Sequence, residues 1–450
     1  MPFIKKRYLL NFFVLYLQNT SKPIEMLDRT LAPEAHQLSE FHILKAESHM
    51  LDNGLKCHTI LAGEQPVVKL ELVFAAGSKL DTQKGQSFFT SKLLIEGTKK
   101  RSSKEIHEYF DQFGAFTQIS QNADFATITL YSLSHHLKSV LPVLQEMLTE
   151  SIFSKHELGI QKNIAIQNLQ VNLEKTAFVS SQLLREKIFG TTHPYGKSLT
   201  IADIQQIEQQ PIIDFYESYI KNQPFEVFLS GSFGETELTL INTYLGNITI
   251  NENRSEKASL ITTSIKNEAF LLEKPDNMQS SIRLGRQLFN RKHPDYFKFI
   301  VTNTLLGGYF GSRLMKNIRE DKGFTYGISS SLVPMAHEGY FVIGTDVKKE
   351  FTQQTIDEIA KEISILQTQE VSEKELSNVR NYMIGAFAGS LNTPFEIADR
   401  QKIIILDQLD SNFYENYIQK INQISAQDIM EIANKYLSMS DLTEVVVGGK

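Results

Sequence analysis

The sequence feature that most constrains the fold is an internal repeat with a period of roughly half the chain. Residues 153–158 begin a long helical pattern, and residues 371–376 begin a second one with the same arrangement. Both segments read Ser-x-x-Glu, and this motif predicts a capping box in which the serine and the glutamate each satisfy a backbone amide at the helix start. The pairs are Ser154 with Glu157 and Ser372 with Glu375. The repeat predicts one structural unit used twice.

Two further stretches follow the same order in each half. Residues 201–207 correspond to residues 425–432, and each is predicted to precede a short helix with tyrosines and a closing strand that ends in glycine. The closing strands are residues 225–231 and 442–448. Chance resemblance between the halves is the alternative, but matched helix starts and matched closing strands argue against it.

The order of elements predicts an α+β protein. Residues 125–131 and 339–344 show the alternation that is typical of strands with one buried face. We expect two homologous α/β-sandwich domains, each an antiparallel or mixed sheet covered by helices on one face. The predicted boundaries are an N-terminal extension at 1–40, a first domain at 41–246, a polar linker at 247–267 and a second domain at 268–450.

Composition excludes some classes of function. The chain has 450 residues and a formal net charge of -6, which gives no general attraction to nucleic acid or to anionic membranes. Cys57 is the single cysteine, so an intramolecular disulfide and a thiolate-rich zinc site are both excluded. Its place in a predicted strand favours a small buried hydrophobe.

The N-terminal residues allow two interpretations. Lys5, Lys6 and Arg7 precede an apolar run at residues 8–17, which has the size of a signal-peptide core but is too short for a membrane span. No small-x-small cleavage pattern follows, and Met26 offers a second start. We therefore favour a mis-assigned start or a dispensable extension and a cytoplasmic protein. A periplasmic or exported protein is expected if the run is a real signal.

Residues 85–98 are the most informative stretch for function. They follow an aliphatic run at residues 67–74 and a turn at 75–78, an order that predicts strand, turn and amphipathic helix. The layout resembles the start of an insulinase-like (pitrilysin) zinc metallopeptidase domain of the inverzincin group. In that family the helix reads Gly-x-x-His-x-x-Glu-His, and a Gly-Thr pair follows. Gly85, Gly97 and Thr98 are in register with this pattern.

The residues between these markers are not those of a zinc site. Phe88 and Lys92 stand in place of the two histidines, and Ser91 stands in place of the general-base glutamate. A phenyl ring cannot bind a metal, a serine hydroxyl is a poor base, and an ammonium repels a cation. The resemblance places a third ligand, a glutamate, at Asn168, and a slip of one residue gives Gln167. Each replacement alone is ordinary, but their joint placement indicates a lost metal site.

Other zinc sites are not favoured by the sequence. The histidines at 135–136, 156 and 193 lack the H-x-x-x-H spacing that places two rings on one helix face, so structural histidines are the better interpretation. His193 and Tyr195 match a structural turn of the resembled family. We expect no cofactor in this chain and zinc in a partner subunit.

The second half matches a different part of the same family. Residues 305–314 and 319–326 resemble its C-terminal substrate-binding segment, in which an arginine and a tyrosine hold the substrate carbonyl and its developing oxyanion. Arg319 and Tyr326 have that spacing, and guanidinium and phenol groups can both donate hydrogen bonds to negative charge. The alternative is that Arg319 forms a surface pair with Glu320 or Asp321 and that Tyr326 only begins a strand.

The resemblance, over roughly residues 41–449, implies a non-catalytic subunit of a heterodimeric zinc metallopeptidase, similar to the mitochondrial processing peptidase. The expected partners are a subunit that carries H-x-x-E-H and extended peptide substrates, which would pair with a sheet edge at residues 116–120. The alternatives are a structural or peptide-holding subunit, like the core proteins of a respiratory complex, and an autonomous hydrolase with a rearranged metal site.

Overall fold

The computed structural model describes residues 42–251 and 268–450, together with Thr30. The apolar run at residues 8–17, both candidate start residues and most of the predicted linker lie outside these residues, and the predicted domain boundaries stay a prediction. Residues 39–450 form one compact unit. Among the described helices, none has the length and apolar character needed to cross a bilayer.

The first half, residues 42–251, builds a six-stranded sheet with helices between its strands. Its strands are β1 (Glu47–Met50), β2 (Lys56–Leu61), β3 (Val67–Phe74), β4 (Phe116–Gln121), β5 (Ala126–Leu133) and β6 (Phe225–Gly231). Its α-helices are α1 (Gln86–Leu93), α2 (Ser103–Gln112), α3 (Leu137–Glu150), α4 (Lys155–Glu174), α5 (Thr176–Phe189), α6 (Ile201–Gln206), α7 (Gln209–Tyr219) and α8 (Glu235–Leu245). The strand order is β1-β2-β6-β3-β5-β4.

The second half, residues 268–450, repeats this plan with one strand fewer. Its strands are β7 (Ala269–Glu273), β8 (Gln279–Leu288), β9 (Thr325–Pro334), β10 (Gly339–Lys348) and β11 (Thr443–Gly448). Its α-helices are α9 (Tyr296–Asn303), α10 (Thr352–Thr368), α11 (Glu373–Gly389), α12 (Pro394–Leu406), α13 (Tyr417–Gln423) and α14 (Ala426–Tyr436). The strand order is β7-β11-β8-β10-β9.

Both sheets are mixed, as the sequence predicts. The closing strands β6 and β11 each run parallel to one neighbour and antiparallel to the other. Each ends on a glycine with positive φ, Gly231 at 119° and Gly448 at 136°. A Cβ on Gly231 would lie 2.1 Å from the carbonyl oxygen of Val67, so the strand can end there only with glycine. The predicted α+β architecture with two related units is confirmed.

The predicted capping boxes at the long helices are only half formed. Ser154 caps α4 and Ser372 caps α11 through side-chain oxygens that accept from the backbone N–H of Glu157 and Glu375. The second hydrogen bond of the box, from the backbone N–H of the serine to the glutamate carboxylate, is not made at either helix. Glu375 instead binds the guanidinium of Arg313 through both carboxylate oxygens at 2.9 Å, because a bidentate ion pair competes successfully for its carboxylate.

The predicted correspondence between residues 201–207 and residues 425–432 is wrong by one helix. Helix α6 is followed by α7 before the closing strand, whereas α14 leads to β11 with only a short 3₁₀ turn between them. By position in the fold, α14 therefore corresponds to α7. The sequence likeness has a local cause, since Thr200 with Asp203 and Ser425 with Asp428 both form complete capping boxes.

The sheets are covered on more than the single predicted face. Helix α5 from the first half packs on β8 and β11 of the second sheet, and α12 from the second half packs on β6 and β2 of the first. The α5 contact is apolar and buries Leu184 and Ile188 beside Val445. The α12 contact is ionic and involves Lys69 of β3. Each half thus supplies a helix that covers the sheet of the other half. Sequence periodicity within one half could not predict this exchange.

Candidate functional site

Helix α1 is held in place by a half-buried carboxylate at its start. Gly85 adopts φ of 98° at the N-cap, and Asp81 accepts hydrogen bonds from the backbone N–H groups of Gly85 at 3.1 Å and Ser87 at 2.9 Å. Burial raises the pKa of Asp81 even though these hydrogen bonds oppose the shift. The helix frame expected for a metal-binding motif is therefore well defined.

The side chains on this frame make packing contacts instead of a ligand set. The ring of Phe88 packs on the first-half core and lies edge-on to Phe89, with ring centroids 5.1 Å apart. Ser91 is buried, and Lys92 is exposed with its Nζ 6.0 Å from the centre of the Phe88 ring. Phe88 and Lys92 are four residues apart on the helix, so two histidines at these positions could lie on one face.

The position predicted for a third ligand, Asn168, lies on the neighbouring helix. Helix α4 packs against α1, and Gln161 of α4 donates a hydrogen bond to Glu96 at 2.9 Å, just beyond the end of α1. Asn168 lies two turns further along α4 and is exposed. Phenyl, hydroxyl, ammonium and amide groups do not fit zinc, which prefers imidazole, thiolate or carboxylate ligands. No cluster of three or more His, Cys, Asp or Glu suited to a metal occurs within residues 42–251 and 268–450.

An open sheet edge runs beside this degenerate site. Strand β4 is an outermost strand of the first sheet, pairs with β5 and contacts α1. Its residues alternate between exposed and half-buried, and Phe116 is 59% exposed. The sequence indicates this segment as a peptide-pairing strand, but edge position depends on long-range strand order and required the structure.

Arg319 and Tyr326 are brought together at the surface of the second half. Arg319 lies in a π-helical turn, Met315–Asp321, and Tyr326 lies at the start of the edge strand β9. The Nε of Arg319 donates to the carbonyl oxygen of Tyr326 at 3.1 Å, and the Tyr326 side chain is 95% exposed. Glu320 lies 4.0 Å from Nη1 of Arg319, so the surface pair that the sequence allows is present as a long ion pair beside the contact to Tyr326.

Phe310 is a member of this group that the sequence did not single out. Its ring centre lies 4.6 Å from the guanidinium carbon of Arg319, and the side chain is 64% exposed. A cation–π contact at this distance helps to orient the guanidinium. The sequence signal that could have indicated Phe310 is the aromatic pair directly after Gly307-Gly308, in the segment that precedes Arg319.

The two predicted groups lie in different halves. Phe88, Ser91, Lys92 and Asn168 lie on α1 and α4, whereas Arg319 and Tyr326 lie on the π-helical turn and β9. Among the described residues, the hydrogen bonds of Arg319 and Tyr326 do not reach α1 or α4. The chain therefore carries two separate surfaces with different chemistry.

The histidine turn is structural, as the sequence indicates. His193 is buried, and burial lowers its pKa. The Tyr195 hydroxyl donates to Asp124 at 3.0 Å, and Lys79 lies 3.1 Å from the same carboxylate. The backbone N–H of Ala336, in the β9–β10 turn, also donates to Asp124, so this cluster fastens the two halves together.

The fold and the degenerate helix define an inverzincin-type scaffold, and sequence comparison gives the family. Residues 59–200 match the family model described as Insulinase (Peptidase family M16), and residues 206–383 match the one described as Peptidase M16 inactive domain. The chain belongs to the insulinase-like peptidase family M16.

Similar proteins carry both peptidase and non-peptidase names. The chain is 22% identical to "Uncharacterized zinc protease YmxG" of Bacillus subtilis, over 83% of this chain and 93% of that protein. It is 23% identical to "Non-peptidase homolog YmxG" of Helicobacter pylori, over 86% and 90%. It is 22% identical to "Probable mitochondrial-processing peptidase subunit beta" of Schizosaccharomyces pombe, over 66% and 64%.

A solved structure has the same fold. The crystal structure of a peptidase M16 inactive domain from Pseudomonas fluorescens superposes with a TM-score of 0.80 at 22% identity, and covers 90% of this chain and 99% of that one. The architecture of two related sheet-and-helix units is thus that of a known M16 structure.

Proposed function

We propose that this chain is the non-catalytic subunit of a heterodimeric zinc metallopeptidase. It would supply Arg319 and Tyr326 to the zinc site of a partner that carries H-x-x-E-H. The observation that carries the proposal is the contrast between α1, whose donor positions are replaced, and Arg319, which is anchored by its Nε and by Phe310. Zinc in the partner would polarise the peptide carbonyl and activate water.

The geometry suits a role in stabilising negative charge. The Nε of Arg319 is engaged by the Tyr326 carbonyl, so the remaining guanidinium N–H groups can donate to a substrate oxygen. The exposed phenol of Tyr326 is a second donor on the same surface. Donors that are fixed in advance stabilise a developing oxyanion more effectively than mobile ones, because little reorganisation is needed.

The test is co-expression with an H-x-x-E-H chain from the same organism, followed by measurement of peptide cleavage. We expect Arg319→Ala to lower kcat by about 10²–10³-fold, the usual effect of removing one oxyanion donor. Tyr326→Phe, which removes only a hydroxyl, should also lower kcat. Lys104→Ala is the control, because its side chain is 81% exposed on α2. Wild-type turnover from both site variants would contradict the proposal.

The second candidate is a structural or peptide-holding subunit with no part in proteolysis. The open edge of β4 beside α1 favours it, since strand addition needs free backbone groups and no metal. Peptide binding that needs no partner, combined with no effect of Arg319→Ala on any partner's activity, would favour this candidate. Stoichiometric zinc in the purified wild-type chain would support the autonomous hydrolase instead.

A further inference from the structure

A second open sheet edge, far along the sheet from β4, borders an apolar groove. Strand β1 is the other outermost strand of the first sheet, and within the described residues it pairs only with β2. The groove beside it has a volume of about 400 Å³. Its apolar lining comes from Leu44 and Leu61 on the strand side and from Phe233 and Leu238 around the start of α8.

The groove is open and its apolar side chains are exposed to solvent. Leu61 is 60% exposed and Leu44 is 45% exposed. Exposed leucines that share one concave surface are a common feature of interaction sites. The volume is in the range of pockets that accept small ligands or peptide side chains.

The rim of the groove is acidic. Glu47 on β1 and Glu235 in the first turn of α8 both line it. Glu47 has an 84% exposed side chain, and the Nε2 of His49 lies 4.0 Å from its carboxylate. The single lysine of the lining, Lys45, is engaged elsewhere, with Glu415 at 3.2 Å and Asn412 at 2.9 Å. The rim therefore presents uncompensated negative charge.

We propose that this β1 groove binds an extended peptide segment with apolar residues at every second position and a basic residue at each end of that series. Glu47 and His49 are two residues apart on β1 and both face the groove. A strand added at the edge would place alternate side chains on that same face, about 5 Å further out. Its apolar side chains would enter the groove, and its cations would meet Glu47 and Glu235. This site is independent of Arg319, Tyr326 and the proposed role in proteolysis.

The probe is a short fluorescein-labelled peptide that alternates leucine with threonine and has lysine near both ends. Binding to the full chain is measured by fluorescence anisotropy, next to a matched peptide with glutamate in place of lysine and one with N-methylated backbone amides. We expect the lysine peptide to bind best and N-methylation to remove binding, because strand pairing needs the amide donors.

Variants of the groove locate the peptide. Leu61→Asp should weaken binding about ten-fold, because it places a charge in the apolar wall. Glu47→Lys with Glu235→Lys should reverse the preference to the glutamate peptide by about two- to five-fold, the usual range for exposed ion pairs. All three side chains are exposed, and thermal unfolding checks that the variants remain folded. Phe116→Asp on β4, the other candidate peptide edge, tests whether the peptide binds there instead, and Lys104→Ala on α2 is the control that should leave binding unchanged.

Four results would overturn the proposal. These are no binding by the wild-type chain, binding that survives N-methylation, equal binding of the lysine and glutamate peptides, and loss of binding in Phe116→Asp but not in Leu61→Asp. The last result would move the peptide to β4, the edge discussed under the proposed function, so the two sites are distinguished.

Discussion

Helix α1 with α4 and the Arg319 segment with β9 are the two regions in which this family places its chemistry, and here they differ in kind. In the first region the backbone frame persists, with Gly85 in its left-handed conformation and Asp81 capping the helix, but the side chains only pack. In the second, side chains are exposed and oriented, although the backbone is irregular and includes π-helical turns. The first region therefore offers a helix frame whose side chains pack, and the second offers exposed hydrogen-bond donors.

The largest expected effect comes from rebuilding the first region. Phe88→His, Ser91→Glu, Lys92→His and Asn168→Glu together should convert a chain without ligands at these positions into one that binds about one zinc ion per chain, because the i and i+4 positions of α1 share one face. Zinc is measured by elemental analysis after dialysis. The triple variant that keeps Asn168 should bind more weakly. A folded quadruple variant without zinc would show that the frame differs from that of a metal site.

A second comparison concerns how each sheet is covered by the other half. Lys69 of β3 pairs with Ser230 one position before Gly231, and Ser281 of β8 pairs with Val447 one position before Gly448, so the two residues are equivalent. Lys69 binds Asp399 of α12 at 2.8 Å and lies 3.0 Å from Glu71. Ser281 instead donates to the Asp346 carboxylate at 2.6 Å, and its hydroxyl lies 2.8 Å from the Thr176 hydroxyl of α5, which can donate to it. The contact of Lys69 with the other half is ionic, and the contact of Ser281 with the other half is between two neutral hydroxyls.

Lys69→Met should therefore destabilise the protein more than Ser281→Ala. Removing a buried cation leaves Glu71, whose side chain is 6% exposed, with Lys402 as its remaining ion partner, so we expect a loss of about 3 kcal/mol. Loss of the Ser281 hydroxyl should cost about 1.5–2 kcal/mol, because it removes the hydrogen bond to the Asp346 carboxylate together with the contact to Thr176. Urea unfolding of both variants measures the difference. Equal losses would mean that the ionic contact of Lys69 contributes no more than the hydrogen bonds of Ser281.

The sequence predicts the parts of this molecule that depend on local patterns. Closing strands, helix starts and the α1 frame follow from alternation, capping residues and glycine positions, and the structure has them close to the predicted places. The exchange of α5 and α12 between the halves, the edge position of β4 and the contact of Phe310 with Arg319 depend on residues distant in sequence. Half-formed capping at Glu375 has the same cause, since Arg313 lies on a different element.

The capping glutamates offer a smaller and internally controlled test. Glu375 binds Arg313 through two hydrogen bonds, whereas Glu157 at the equivalent place makes no side-chain hydrogen bond or ion pair with the described residues. Glu375→Gln should lower the free energy of unfolding by about 1–2 kcal/mol, because charge-assisted bonds are lost at a partly exposed site. Glu157→Gln should change it by less than about 0.5 kcal/mol. Similar effects at both positions would contradict the assigned asymmetry.

The smallest expected effect is the pH dependence of the free energy of unfolding that comes from Asp399 in the ionic contact. Burial alone would raise the pKa of Asp399, but the charge of Lys402 and hydrogen bonds from Lys69 and Lys402 outweigh it and lower the pKa. A carboxyl with a lowered pKa in the folded state stabilises the protein above its unfolded pKa of about 4 and loses that contribution as pH falls through the folded value. Asp399 is 49% exposed, so its contribution to the free energy of unfolding should be under about 1 kcal/mol. Asp399→Asn should lower stability at neutral pH and flatten the decline below about pH 4. Urea midpoints measured between neutral and acidic pH would decide this, and an unchanged acid decline in Asp399→Asn would assign the pH sensitivity to other carboxylates.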